Sequence, residues 1–478
     1  MDEFVSPIPA LAIIVGIASL LVIYGVYSQK RLVKNSEDFV YAGRSVGLAI
    51  SSGALIATWI TGNTVMSAPE QAYTLGIMGV IGYGLVGLSL VLFAPLAMRI
   101  KRLMPNGYTS GEFISLRYGK WAWRVYIVLS IYYLITFLVT QAMAGGILVQ
   151  ALTGLDYRIG LLTVLIACTL YTTMGGLKAV LGTDFVIAVL ILITVSVTGI
   201  IAFWDVSPSA MYASLRAESP NHLNVISAAG MMFIGSIVLQ ASGEIFHSNI
   251  WWQRLHACRE ELTKKSFVTA GLIFIPVPIA TGFIAIIALV NSYDVPQVNM
   301  VFPIVAGSLM GSVGGILVLI IVFTALLSTV SALLIASGNL IIYDFVREFL
   351  PGKISNKKAT GYVRWTILCL FAITLILTWT PRDSMFQIIL LTGPAVASMI
   401  WPICYGIYNK RSNRTAATVA FISGTAVGIW AYFSISSYAG SVSGAVVSGL
   451  VMLLATTLWP DDSFEWSDLN SDIKIRKD

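Results

Sequence analysis

The stretch Ala57-Thr58-Trp59-Ile60-Thr61-Gly62-Asn63-Thr64 lies inside an apolar segment that runs from residue 47 to residue 68. Four of its side chains, Thr58, Thr61, Asn63 and Thr64, are polar, and one residue is glycine. In hydrocarbon every backbone and side-chain polar group needs a partner within the protein. Such a break is tolerated at membrane depth only where it lines a cavity or holds a ligand. Broken helices of this kind mark secondary transporters. The run therefore points both to the fold and to the place where function is expected.

The surrounding chain supports a membrane setting. Of its 478 residues, 57% are hydrophobic and 11% are charged, against about 25% charged in a typical soluble domain. Apolar runs long enough to cross a bilayer, which takes roughly 20 residues, recur along the whole length. Thirteen spans are expected, at 8–28, 47–68, 77–98, 125–152, 159–173, 181–204, 224–243, 266–291, 312–343, 363–380, 386–408, 415–437 and 440–459. Their loops divide the 29 Lys and Arg unequally: 26 fall on one face, and only Arg158, Arg216 and Arg382 on the other. Basic residues near span ends stay in the cytoplasm, so the N-terminus is expected outside and the C-terminus inside. The formal charge of +6 is thus a topology signal with contact to anionic lipid, and it does not imply nucleic acid. The start, Met1-Asp2-Glu3-Phe4, lacks the basic region of a signal peptide, so the first span reads as a retained helix.

No linker divides the chain, which reads as one membrane domain over 1–478. Spans two to eleven split into two sets of five, 47–204 and 224–408, flanked by 8–28 and 415–459. An odd number of spans per set inverts the second relative to the first, which predicts an inverted repeat. Residues 301–311 are expected as a short helix at the outer surface, and the tail from Trp459 onward as ordered only in part. The cysteines (Cys168, Cys258, Cys369, Cys404) and histidines (His222, His247, His256) show neither a disulfide framework nor metal spacing.

A second polar cluster lies in span nine: Ala325-Leu326-Leu327-Ser328-Thr329-Val330-Ser331-Ala332. A hard cation such as Na⁺ takes oxygen ligands. The hydroxyls of Ser328 and Thr329, the carbonyl of Ala325 one turn earlier, and the carbonyls of Ala57 and Ile60 at the break would supply five. The ordinary alternative is that such hydroxyls bond their own i−4 carbonyl or a neighbouring helix. Asp184, a carboxylate just inside a span, is costly there and could pair with Lys178. Glu70, Glu244 and His247 lie near span ends, where solvation or interfacial pairing is expected. The solute is expected beside the break, near the midplane, with Trp59, Thr61, Asn63, Gln141 and Gln240 as candidate contacts.

Motifs spread from about residue 40 to residue 350 resemble the sodium/solute symporter family, the group of sodium–glucose, proline and sialic-acid carriers. They are Tyr41-Ala42-Gly43-Arg44; Gly111-Glu112-Phe113-Ile114 with Arg117-Tyr118-Gly119; Tyr171-Thr172-Thr173-Met174-Gly175-Gly176-Leu177-Lys178-Ala179 followed by Thr183-Asp184; Gln253-Arg254; and Ser328-Thr329 with Tyr343-Asp344. The resemblance implies an all-α, LeuT-type 5+5 inverted-repeat bundle with extra flanking helices. It implies that Ala57, Ile60, Ala325, Ser328 and Thr329 hold Na⁺. Some relatives have a second ion site that uses the position of Asp184. Here Ser331 matches one of its span-nine hydroxyls and Ala332 replaces the other. Thr140-Gln141-Ala142-Met143, Gly145-Gly146, Leu152-Thr153-Gly154 and Trp251-Trp252-Gln253-Arg254 are similar to the urea active transporter branch, from which Ile60-Thr61-Gly62-Asn63 departs.

The expected activity is Na⁺-coupled uptake of a small organic solute by alternating access, at the plasma membrane. A neutral polar solute such as urea suits a pocket of Trp, Thr, Asn and Gln with no counter-charge. Proton coupling on the same fold is the alternative, and a transporter-like solute sensor is a further one. An enzyme would need a nucleophile–base pair or a metal cluster, and the sequence offers neither.

Overall fold

Helix Leu48–Trp59 ends at Ile60, whose ψ of 84° leaves the helical region. A new helix, Gly62–Leu75, begins at once and is bent from the first by 52°. The polar run supplies its own restart. Thr61 is the N-cap: its hydroxyl accepts from the Thr64 N–H at 2.9 Å, and Thr64 Oγ1 accepts from the Thr61 N–H at 3.3 Å. This is a reciprocal capping box, and it satisfies two amides that hydrocarbon would leave bare.

The computed structural model describes residues 4–31, 42–107, 109–346, 356–381 and 384–470. The chain order of the main helices is α1 (Pro7–Arg31), α2 (Leu48–Trp59), α3 (Gly62–Leu75), α4 (Ile77–Leu85), α5 (Leu88–Leu103), α6 (Ser110–Tyr118), α7 (Lys120–Thr153), α8 (Tyr157–Asp205), α9 (Pro208–Glu218) and α10 (Ala228–His247). It continues with α11 (Asn249–Ala257), α12 (Glu260–Phe274), α13 (Pro276–Val290), α14 (Val301–Asn339), α15 (Asn356–Thr378), α16 (Met385–Ser398), α17 (Ile400–Tyr408), α18 (Arg414–Ser434) and α19 (Ala439–Leu458). Among the described residues, eleven helices are long and apolar enough to cross a membrane, the bent pair α2–α3 adds another candidate, and Tyr157–Thr173 is a shorter apolar helix. These segments overlap each of the expected spans, with the largest differences at the start of α14 and the end of α3.

Helix α8 runs for 49 residues, far too long when straight for a bilayer core of about 30 Å. It is not straight. The Tyr171 hydroxyl bonds the Thr183 hydroxyl twelve residues on, where a straight helix would hold the two about 18 Å apart along its axis. The helix therefore folds over between an arm at 157–173 and an arm at 180–205, as the two expected spans require.

Helix α14 is the central post. It packs against α8, α7 and α3, and α10 packs against α16 and α4. At the break, a Cβ on Gly62 would lie 2.4 Å from Leu326 Cδ2, so only glycine lets α3 start this close to α14.

Three segments between and after the spans carry structure of their own. Residues 301–310 form a short helical arm at the start of α14: Val301–Gly307 are buried, Ser308 is exposed, and Gly311, with φ of 56°, turns the chain into the long arm. The connections 98–124, 205–223 and 244–265 contain packed helices, and every residue of α11 is buried. In the tail, Asp461, Asp462 and Glu465 pair with Arg414, Arg411 and Lys410, and Phe464 is buried.

Candidate functional site

The cap at Thr61 has a consequence for the backbone before it. In a continuous helix the Thr61 N–H would bond the Ala57 carbonyl and the Thr64 N–H the Ile60 carbonyl. Instead Thr61 N–H turns to Trp59 O and Thr64 Oγ1, and Thr64 N–H turns to Thr61 Oγ1. The carbonyls of Ala57 and Ile60 thus lose their helical donors, in a region where every neighbouring residue is buried.

Helix α14 brings hydroxyls to this break, and they do not behave as ordinary membrane hydroxyls do. Thr324 and Ser337 on the same helix donate to their i−4 carbonyls, at 2.6 Å each. Ser328 donates instead to Asp184 Oδ1 at 2.6 Å. Thr329 Oγ1 and Ser331 Oγ are buried with no partner. A hydroxyl that has given its proton to a carboxylate keeps its lone pairs free. The oxygens of Ser328 and Thr329 and the freed carbonyls of α2 are all uncharged, buried donors of electron density. Oxygen dipoles of that kind suit a hard monovalent cation, which is bound through ion–dipole contacts.

Asp184 Oδ2 receives Arg254 Nη2 at 3.0 Å, with the two side chains 0% and 2% exposed. The Thr58 hydroxyl faces the same carboxylate. The partner proposed from the sequence, Lys178, lies outside the described side chains. Arg254 was passed over because it stands 70 positions away, in a segment read as a cytoplasmic loop.

On the other side of the break lies a cavity of about 50 Å³ lined by Trp59, Thr61, Asn63, Gln240 and Glu244, with Tyr83 and Phe137 among its apolar walls. Four of the five expected solute contacts are therefore together. The fifth, Gln141, is buried beside Gly62 and does not line the cavity. Trp59 serves two purposes: its ring packs edge-on against Trp251 at 5.1 Å, and its Nε1 has no partner. Thr61 reaches the cavity with a hydroxyl already engaged in the cap.

Residues 39–424 match the sodium:solute symporter family. The chain belongs to that family. It is similar to the urea active transporter of Saccharomyces cerevisiae, with 27% identity over 90% of this chain and 64% of that protein. It is also similar to the urea-proton symporter DUR3 of Oryza sativa subsp. japonica, with 24% identity over 89% of this chain and 65% of that protein. The chain thus spans a little under two thirds of the length of these curated relatives. Among solved structures, a Na⁺-coupled sialic acid symporter in a substrate-bound outward-open state aligns with a TM-score of 0.78, at 18% identity, over 94% of this chain and 98% of that one. At that identity the likeness speaks for the fold.

In this symporter-family chain the acidic and imidazole groups of α3 and α10 are misplaced by the sequence reading. Glu70, Glu244 and His247 are buried, not solvated at an interface. Glu70 accepts from Ser384 at 2.9 Å and keeps one oxygen unpartnered. His247 Nδ1 bonds Gly243 O at 2.7 Å, and its ring lies edge-on to Tyr133 at 4.9 Å. Glu244 opens onto the cavity, and the Tyr133 hydroxyl faces it. A signal for Glu244 was present: it follows Gln240 by four positions, which puts both on one helix face.

Proposed function

We propose that this chain is a secondary active carrier that takes up a small neutral polar solute, such as urea, together with Na⁺. The observation that carries the reading is the pair of sites at one helix break. Freed carbonyls and the buried hydroxyls of Ser328 and Thr329 would serve the ion, and the cavity lined by Trp59, Thr61 and Asn63 would serve the solute. Na⁺ bound by Ala57, Ile60, Ala325, Ser328 and Thr329 would hold α2 against α14. The same clamp would fix Trp59 and Asn63, which flank the break, for the solute. Coupling then arises because each ligand binds better to the conformation that the other stabilises. The residues 47–204 and 224–408 serve as the two inverted repeats that rock around these sites. The N-terminus faces outward and the C-terminus faces the cytoplasm of a plasma-membrane protein. A second ion at Asp184 and Ser331 is not favoured, because Asp184 is engaged by Arg254 and Ser328.

The test is uptake of radiolabelled urea into proteoliposomes with an imposed Na⁺ gradient. Wild-type uptake should rise with the gradient, and Ser328→Ala/Thr329→Ala should abolish the stimulation. A double variant that retained full Na⁺ dependence would refute the ion assignment. Proton coupling is the second reading, favoured by the carboxylate of Glu244 in the cavity wall. Uptake driven by a pH gradient in Na⁺-free vesicles would select it.

A further inference from the structure

Two amides line the cavity, and hydrogen bonding fixes which way each one faces. Gln240 Nε2 reaches the Ile389 carbonyl at 2.6 Å, and a carbonyl can only accept. Its second partner, Thr392 Oγ1 at 3.1 Å, spends its own proton on that same carbonyl. Asn63 Nδ2 meets Thr140 Oγ1 at 2.8 Å, and that hydroxyl donates to Phe137 O at 2.9 Å. Flipping either amide would oppose acceptor to acceptor or leave Thr140 with two acceptors for one proton. Asn63 Oδ1 and Gln240 Oε1 therefore remain as buried acceptors without a partner. Leaving such atoms bare costs stability, so their persistence calls for an explanation.

Glu244 adds a third acceptor one turn along α10 from Gln240. Tyr133 and Tyr83 are the titratable groups that face it, with Glu70 beyond Tyr83. Among the described residues no Lys or Arg pairs with it. The hydroxyls of Thr61 and Thr64 are turned to each other at 3.2 Å. Two lining residues carry donors: Trp59, whose Nε1 has no partner, and Tyr83. The acceptor groups of the wall thus outnumber these donors.

We propose that the pocket selects its solute by N–H donors: Asn63 Oδ1, Gln240 Oε1 and the Glu244 carboxylate receive the amino groups of a planar urea- or guanidinium-type solute, and Glu244 sets the selectivity. The proposal rests on this cavity being the solute site of the carrier proposed above. A planar carbon bearing two amino groups offers four N–H bonds to the three acceptors, and the carbonyl of a urea-type solute completes the set at Trp59 Nε1. Size agrees. One water position needs roughly 10–15 Å³ of such space, so about 50 Å³ holds only a few heavy atoms. Charge agrees as well. A carboxylate solute would place its charge against the acceptor oxygens of Asn63, Gln240 and Glu244 with no cation to offset it. A guanidinium ion would find its counter-charge there.

The test is equilibrium binding, read as thermal shift of the purified full chain in NaCl with millimolar urea, methylurea, 1,3-dimethylurea, tetramethylurea, guanidinium or acetate. Affinity should fall in that order along the urea series, by about tenfold or more for each amino group fully blocked. Acetate should produce no shift. Glu244→Gln, which keeps shape and removes charge, should weaken guanidinium by at least about tenfold and urea by less. Tetramethylurea binding as well as urea would overturn the proposal, and so would a guanidinium affinity untouched by Glu244→Gln. The urea series needs no mutation, so it decides even if the variant misfolds. Binding is measured without a gradient, so failed coupling would sink the symport reading alone. If no amino solute binds while another solute shows Na⁺-driven uptake, the pocket assignment falls and the symport reading stands.

Discussion

Ser328 Oγ gives its proton to Asp184 Oδ1 at 2.6 Å, and Arg254 Nη2 holds the other oxygen of that carboxylate at 3.0 Å. One buried carboxylate thereby ties α14, α8 and α11 together beside the helix break. It also decides which atoms of Ser328 remain available: the proton is committed, and the lone pairs are free for a cation. The pair is charge-balanced within itself, so an ion held by the neutral oxygens around it would be stabilised by their dipoles rather than by a counter-charge.

Asp184→Asn should destabilise the protein strongly, by about 3–5 kcal/mol, because it strands Arg254 in a dry site. Arg254→Gln should cost a similar amount by stranding Asp184. The double variant Asp184→Asn/Arg254→Gln should recover a large part of the loss, since neither charge is then left alone. Thermal melting of the three variants in detergent measures this. Additive losses in the double variant would show that the two groups are not coupled.

Thr329→Val tests the ion site without damaging the fold. Thr329 Oγ1 is buried and makes no hydrogen bond, so replacing the hydroxyl with a methyl of the same shape removes an unsatisfied group. The Na⁺-free melting temperature should stay level or rise slightly. The stabilisation by added Na⁺, which grows with ion concentration over Kd, should disappear. Thr329→Ser keeps the oxygen and should keep the Na⁺ response. A melting curve for Thr329→Val that still shifts with Na⁺ as the wild type does would remove this residue from the site.

Two glycines separate a clash that can relax from one that cannot. A Cβ on Gly62 meets Leu326 Cδ2 at 2.4 Å, the end of a side chain, whereas a Cβ on Gly243 meets Val396 O at 2.2 Å, which is backbone. Gly62→Ala should cost about 1–3 kcal/mol and lower Na⁺ affinity by wedging α3 from α14. Leu326→Ala in the same chain should restore much of the Na⁺ response. Gly243→Ala forces α10 off α16 next to Glu244, and it should abolish solute binding with no side-chain rescue. Thermal shift with Na⁺ and with urea reads both.

The helical frame was legible because hydropathy runs along the chain, and burial against lipid or protein needs only a local run of apolar residues. The break at Ile60 was legible for the same reason, since Thr61, Asn63 and Thr64 violate such a run. What each polar atom does there was not legible. Thr61 and Thr64 are absorbed by a cap that depends on local φ/ψ, and only the folded geometry leaves Asn63 Oδ1 free. The partner of Asp184 was hidden for another reason. Arg254 is distant in sequence and sits in a connection rich in basic residues, so charge counting assigned it to topology. Glu244 was hidden by its position near a span end, where hydropathy reports solvent although the side chain is buried in the cavity wall.

Beyond the membrane, the segment after α19 gives a pH prediction with a definite sign. Partial burial pushes the Asp461 carboxyl up, but two bonds from Ser463, with Arg414 and Arg117 nearby, outweigh this and hold it below the ordinary carboxylate range. A carboxyl depressed in the folded state stabilises at pH above its unfolded value, and that stabilisation is lost as pH falls through the folded one. Attachment of residues 461–469 should therefore weaken between about pH 5 and pH 3. The ion pairs with Lys410 and Arg411 are exposed and contribute little. The firmer anchor is Phe464, whose buried ring lies 3.9 Å from the Arg117 guanidinium carbon. Limited proteolysis at neutral pH should cut this segment faster in Phe464→Ala and unchanged in Lys410→Ala. Asp461→Asn should be cut faster than the wild type at pH 5, and the two rates should converge once the pH falls below the folded carboxyl's own value. If they stayed apart at the lower pH, the attachment would not depend on this carboxylate.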